Sequence, residues 1–144
     1  MKKEEFILNK KELIIRALEA KENAYVPYSK FKVGAAVLTE DHSIYTGCNI
    51  EIASYSPTIC AERTAIFKAV SEGHRKIKAV AVVGDGDLTH PCGVCRQVIR
   101  EFGKDAVIIV ANSETDYKVY TLDDLLPHSF GPEDLEEIRG EDYV

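Results

Sequence analysis

The sequence predicts an α/β layered domain, with helices packed on a five-stranded mixed sheet. Three observations lead there. Short apolar runs at Val33–Leu38, Ala79–Val83 and Ala106–Ala111 are bounded by turn residues and read as buried strands. Segments of helical period alternate with them. No internal repeat, linker or low-complexity segment interrupts the 144 residues, so one domain over residues 1–144 is expected.

Residues 10–25 read as an amphipathic helix, in which Leu13, Ile14, Ala17, Leu18 and Lys21 recur at spacings of three and four. Asn9 is its expected cap, and Pro27 argues against continuation. After a loop at Tyr28-Ser29-Lys30-Phe31 comes the first strand, 33–38. Tyr28 and Phe31 taken alone are packing aromatics. Asp41-His42 marks a hairpin turn, and Ile44–Cys48 is the returning strand, with Cys48 a small buried hydrophobe.

Asn49 and Glu51 lie two apart, so in an extended segment they point to the same side. Two readings stand side by side: an amide and a carboxylate converging on sugar hydroxyls, or plain loop capping. A helix follows from Cys60 to about Glu72, with Ala61, Ala65, Ile66, Ala69 and Val70 at helical period and Gly73 as terminator. The strand 79–83 and a Gly-Asp loop lead to a third helix, in which Val98, Ile99 and Phe102 are periodic. The strand 106–111 and a more exposed one at Tyr117–Thr121 complete the sheet. Residues 125–132 are irregular, and 133–138 form a last short helix.

Composition narrows the function. A net charge of −6 argues against a protein that grips nucleic-acid phosphates. No apolar run approaches membrane-spanning length, and Met1–Phe6 lacks a signal-peptide core, so a cytoplasmic location without membrane contact is expected. Cysteines there stay reduced and bind metal more readily than they pair.

The chemistry concentrates in Cys60-Ala61-Glu62-Arg63 and Pro91-Cys92-Gly93-Val94-Cys95-Arg96-Gln97. Both stretches open helices, whose free N–H groups and partial positive charge favour thiolates. Three thiolates brought together need a cation, and zinc is the usual one. A structural site is closed by a fourth Cys or His, whereas a catalytic site keeps three protein ligands and a place for water. His90 is not expected to be a ligand, and Glu62 stands where it can handle protons.

Cys-x-Glu followed by Pro-Cys-x-x-Cys resembles the signature of the zinc nucleoside and nucleobase deaminases. More specifically, the chain resembles the small homotetrameric cytidine deaminases, within the cytidine/deoxycytidylate deaminase superfamily. The shared blocks are Pro27–Phe31 with Val33–Ala36, Gly47–Glu51, Cys60–Ala65, Pro91–Gln97, and Leu125-Leu126-Pro127 with Phe130. The resemblance implies the three-layer fold of that family and one zinc per chain on Cys60, Cys92 and Cys95. It makes Glu62 the proton shuttle in hydrolysis of cytidine and 2′-deoxycytidine to uridine and 2′-deoxyuridine plus ammonia, a step of pyrimidine salvage. It assigns Asn49 and Glu51 to the ribose hydroxyls, Phe31 to the base and the Ala61 backbone to the pyrimidine carbonyl. Phe130 enters a neighbouring subunit's pocket. Arg63 and Arg96, followed by Gln97, hydrogen-bond the sulfurs or support them. Ile52, where many relatives have Asn, and His90, where they often have Ser or Thr, depart from the pattern. A non-catalytic zinc-stabilised domain and a deaminase of another base or nucleotide are the competing readings.

Overall fold

The three apolar runs form the centre of one sheet, ordered β2-β1-β3-β4-β5. The structure is a computed structural model that describes the backbone of residues 3–139 and the side chains of residues 9–136. Its elements are α1 (Lys3–Lys21), β1 (Val33–Thr39), β2 (Ile44–Cys48), α2 (Ala61–Ser71), β3 (Ile77–Gly84), α3 (Gly93–Phe102), β4 (Val107–Ala111), β5 (Tyr117–Thr121), α4 (Leu122–Leu125) and α5 (Pro132–Arg139). β3 and β4 pair in parallel, and every other neighbouring pair is antiparallel. A parallel pair needs a crossover, which α3 supplies.

Alternation along the strands divides the core into two layers. Ala35, Val37, Val80, Val82, Ile108 and Val110 meet Ala61, Ala65, Ile66 and Ala69 of α2 and Ile99 of α3. Ala36, Leu38, Ala79, Ala81, Val83, Ile109 and Ala111 meet Leu13, Ile14 and Ala17 of α1. Because every second residue of each central strand is claimed from one side, the strands read as unbroken apolar runs. α2 and α3 therefore share a face, which brings their N-termini together.

Three expectations need correction, and one short helix adds to those the sequence predicts. The first helix runs Lys3–Lys21, so Asn9 lies inside it and is not its cap. It stops before residue 25 because Tyr25 is drawn into a bridge: its N–H donates to Asn49 O, and its carbonyl accepts from Glu51 N–H. Cys48 is half-buried, not buried, at the exposed end of β2. A short helix, α4, occupies the start of the tail, nucleated by a reciprocal cap between Thr121 and Asp124. Among the described residues, no helix is long and apolar enough to cross a membrane.

Candidate metal and substrate site

Cys60 and Cys92 are the N-cap residues of α2 and α3, each with extended backbone and no side-chain bond to its own helix. Their thiols face each other instead, with the sulfurs 3.6 Å apart. Cys95, one turn into α3, is fully buried beneath them. All three sulfurs lie within 4.8 Å of one another. Around a tetrahedral zinc with bonds of about 2.3 Å, thiolates stand about 3.8 Å apart. The donor set, three soft sulfurs all within 4.8 Å, fits zinc, and among the described residues no other His, Cys, Asp or Glu joins the group.

The electrostatics also suit a cation. A hydrogen bond from the Cys95 thiol, aided by the Arg63 guanidinium, pulls Cys60 down to about 5. Cys95, holding the proton in that pair and buried, is pushed up. Arg63 Nη2 donates to Cys60 Sγ at 3.4 Å, while its buried Nε has no hydrogen-bond partner. A fully deprotonated cluster would give that orphaned donor an anionic neighbour.

Glu62 is 3% exposed, and burial pushes its carboxyl up to about 7. It lines a cavity of about 280 Å³ together with Cys60, Cys92, Ala61, Asn49 and Glu51, and with Val33, Thr58, Ile59, Thr89 and His90. Cys60, Ala61, Glu62 and Arg63 all ride on the first turn of α2. That turn is fixed against β2, because the Thr64 hydroxyl donates to Cys48 O and Cys60 O. Gly47 of β2 also lies so close that a Cβ there would come 2.5 Å from Ala65 N.

Asn49 and Glu51 both reach the cavity, and both cap backbone. Asn49 Oδ1 accepts from Val33 N–H and its Nδ2 donates to Phe31 O. Glu51 Oε1 accepts from Tyr28 N–H and Ser29 N–H at 3.0 Å each. The Ser29 hydroxyl and these N–H groups hold the Glu51 carboxyl below its usual range. Ile52, the departure in the same loop, is 38% exposed with its N–H donated to Thr58 Oγ1, so Thr58 closes the loop from its far side.

Other expected residues lie elsewhere. Phe31 packs its ring edge beside Gly86 and is not among the cavity-lining residues. Phe130 is 56% exposed on the tail, outside this chain's own cavity. Arg96 corrects the expectation that both arginines bond sulfur: its Nε donates to Pro91 O and its Nη1 to Leu125 O. Gln97 Nε2 donates to Phe130 O. Arg96 and Gln97 thus tie α3 to the tail. His90 bonds Leu88 O and the Tyr120 hydroxyl, and stands apart from the cysteine group. Thr58 and Thr89 give no signal in the sequence, because a hydroxyl in an irregular loop has no distinctive spacing.

Comparison with known proteins agrees with this geometry. Residues 8–111 match the family model described as the cytidine and deoxycytidylate deaminase zinc-binding region. The chain is 54% identical over 125 residues to a cytidine deaminase of Sporosarcina psychrophila, covering 85% of this chain and 92% of the relative. It is 48% identical to one of Halalkalibacterium halodurans, covering 90% of this chain and 100% of the relative. Among solved structures, it is similar to cytidine deaminase from Burkholderia pseudomallei, with a TM-score of 0.78 and 47% identity. That match covers 83% of this chain and 97% of the other.

Proposed function

The chain belongs to the zinc-binding cytidine and deoxycytidylate deaminase family, and from that premise we propose that it hydrolyses cytidine and 2′-deoxycytidine to uridine and 2′-deoxyuridine. One water enters at C4 and one ammonia leaves. The observation that carries this is a buried Glu62 in the wall of a cavity whose lining also includes Cys60 and Cys92. A merely structural zinc site requires neither the carboxyl nor the cavity, and it is normally closed by a fourth ligand.

Cys60, Cys92 and Cys95 hold the zinc, which when bound supplies a Lewis acid that makes water reactive at neutral pH. Glu62 takes one proton from the attacking water and passes it to the ring N3, then takes the second from the hydroxyl now on C4 and delivers it to the departing amine, which leaves as ammonia. Burial suits this shuttle, because it raises the carboxyl's proton affinity towards neutrality, where it can both accept a proton and give it up. Asn49 and Glu51 hold the ribose hydroxyls. The Ala61 N–H, one of the free donors at the start of α2, meets the pyrimidine carbonyl. Phe31 acts through its carbonyl, which accepts from Asn49 Nδ2 and so helps to hold that amide in place. Arg63 keeps the Cys60 sulfur charged and in place, while Arg96 and Gln97 act on α3 from the tail side.

The whole chain, residues 1–144, works as one such domain, in a homotetramer where Phe130 completes a neighbouring subunit's cavity. Support for the oligomer comes from large aromatics left mostly exposed in the single chain, Tyr28, Tyr55 and Phe130, at 51%, 74% and 56%. The location is cytoplasmic, in keeping with four cysteines that form no disulfide.

The test is ultraviolet spectroscopy of cytidine with wild type and Glu62→Gln, with metal measured on both. Conversion by wild type alone, with about one zinc per chain in each, is the expected result. Zinc without conversion of cytidine, deoxycytidine, dCMP, adenosine or blasticidin would leave a structural metal site.

A further inference from the structure

Arg100 is a charged side chain that is nearly buried, beside the apolar stripe of α3 and not on it. It lies on α3 one turn beyond Arg96, and is only 7% exposed. Its guanidinium reaches the tail in three bonds: Nε to Ser129 Oγ at 2.8 Å, Nη1 to Glu133 Oε1 at 3.2 Å and Nη2 to Glu133 Oε2 at 2.9 Å. The two bonds to Glu133 form the parallel fork that arginine makes and lysine does not. Gly131 lies against the guanidinium, where a Cβ would come 2.5 Å from Cζ and 2.6 Å from each Nη. Gly131 N–H in turn donates to Asp134 Oδ2.

Ser129, Gly131 and Glu133 therefore all meet one guanidinium, and Phe130 sits among them. Its own carbonyl accepts from Gln97 Nε2 at 2.8 Å, and His128, two residues before it, has a fixed left-handed turn with φ 53°. The backbone of Phe130 is thus held on both sides while its ring is left in solvent. Docking of the tail does not itself need this arrangement. Leu122 is buried in the core, and Leu125 and Leu126 pack against it, before the clamp begins. A buried charge is an expensive way to hold a segment already anchored, and what it adds is a single geometry.

We infer that Arg100 is a positioning residue, which clamps residues 129–133 so that Phe130 is presented at a fixed place to a neighbouring subunit's substrate. The inference rests on the proposed role of Phe130, and the experiment separates the two.

Steady-state kinetics with cytidine would be measured on zinc-loaded, full-length wild type, Arg100→Ala, Arg100→Lys, Phe130→Ala and the Arg100→Ala/Phe130→Ala double variant. Zinc content and melting temperature would be recorded for each. Arg100→Ala raises KM by about tenfold, the size of one charge-assisted contact, with kcat and zinc retained. Arg100→Lys does not restore KM, because it lacks the fork. In the Phe130→Ala background, Arg100→Ala adds nothing further to KM. Should Arg100→Ala not fold, Glu133→Gln and Ser129→Ala loosen the same clamp, and each raises KM by a smaller factor that likewise vanishes when Phe130 is absent. The inference is overturned, with the role of Phe130 intact, if Phe130→Ala raises KM and the clamp variants do not. It is also overturned if the clamp variants raise KM equally in both backgrounds. If Phe130→Ala leaves KM unchanged, the role of Phe130 falls first and the clamp's falls with it.

Discussion

Gly47→Ala offers a test of how rigidly the sheet sets the metal site. The added methyl would stand 2.5 Å from Ala65 N, 2.7 Å from Ala61 O and 2.8 Å from Thr64 Cβ. Two of those three atoms are backbone, so no rotamer change relieves them. Restoring an ordinary 3.4 Å contact to Ala65 N means that α2 retreats by about 0.9 Å, from 2.5 to 3.4. The first turn of α2 carries Cys60, Glu62 and Arg63, whereas Cys92 and Cys95 belong to α3. The retreat therefore separates the ligands from each other, and it is several times the roughly 0.2 Å that metal–ligand distances tolerate. Overpacking of this kind costs about 1–3 kcal/mol, and a displacement of about 1 Å at a reacting centre can lower the rate about a hundredfold. Gly73→Ala is the control. Gly73 has φ +97°, and a Cβ there would meet nothing within 4 Å, so alanine faces backbone strain alone, roughly 1–2 kcal/mol, away from the cavity. Melting temperature, zinc per chain and the rate of cytidine deamination are measured on both. Both variants melt earlier, but only Gly47→Ala loses zinc and rate. Equal stability losses with zinc and rate intact in both would refute the idea that β2 fixes the start of α2.

Two further outcomes follow from the hydrogen bonds. Arg63→Ala, which removes an arginine bonded to a ligand sulfur, should release zinc to a chelator roughly 10–100-fold faster than wild type. Arg96→Ala, which loses bonds to Pro91 O and Leu125 O, should lower the melting temperature yet release zinc more slowly than Arg63→Ala. The reverse order in a competition with a coloured chelator would restore the sulfur to Arg96. Asp41→Asn tests acid stability. Thr39 Oγ1 and the Ser43 N–H hold Asp41 down to about 2 from 3.8 in the folded chain. A depressed carboxyl stabilises the fold above its unfolded value and loses that contribution as pH falls towards the folded one. The difference in melting temperature between wild type and Asp41→Asn should therefore shrink between about pH 4 and pH 2. A difference that stays constant across that interval would show that Asp41 does not titrate with folding.

The parts of the fold legible in the sequence are those set by local pattern. Ala36 and Val37 face opposite layers, and so do Ala81 and Val82, so each strand is apolar throughout and declares itself. The metal ligands were legible for a different reason: Cys60 and Glu62, and then Cys92 and Cys95, sit at the restrictive spacings Cys-x-Glu and Cys-x-x-Cys, each where a run of helical period begins. Long-range decisions were not legible. α1 stops at Lys21 because Tyr25 pairs with a loop 24 to 26 residues later, and nothing near Lys21 encodes that partner. Arg96 points to the tail because Leu125 O is within its reach. Beside a cysteine motif, the same guanidinium reads as a sulfur donor.

For Asn49 and Glu51, the choice between loop capping and ribose binding is too narrow. The bonds to Val33, Phe31, Tyr28 and Ser29 show the capping. Yet an amide has two donors and an acceptor with two lone pairs, and a carboxylate has about four acceptor positions. Capping uses one donor and one acceptor lone pair of Asn49 and part of the acceptor capacity of Glu51, while both residues still line the cavity. The bonds that fix the loop also fix the orientation of the groups offered to a ligand, so little ordering remains to be done when a nucleoside arrives. A charged Glu51 suits both tasks. Held below its usual range by Ser29 and the loop N–H groups, it remains an acceptor through the neutral range, and a sugar hydroxyl is a donor. Capping is then the condition for binding, since an amide and a carboxylate on a free loop would have to be ordered by the ligand itself.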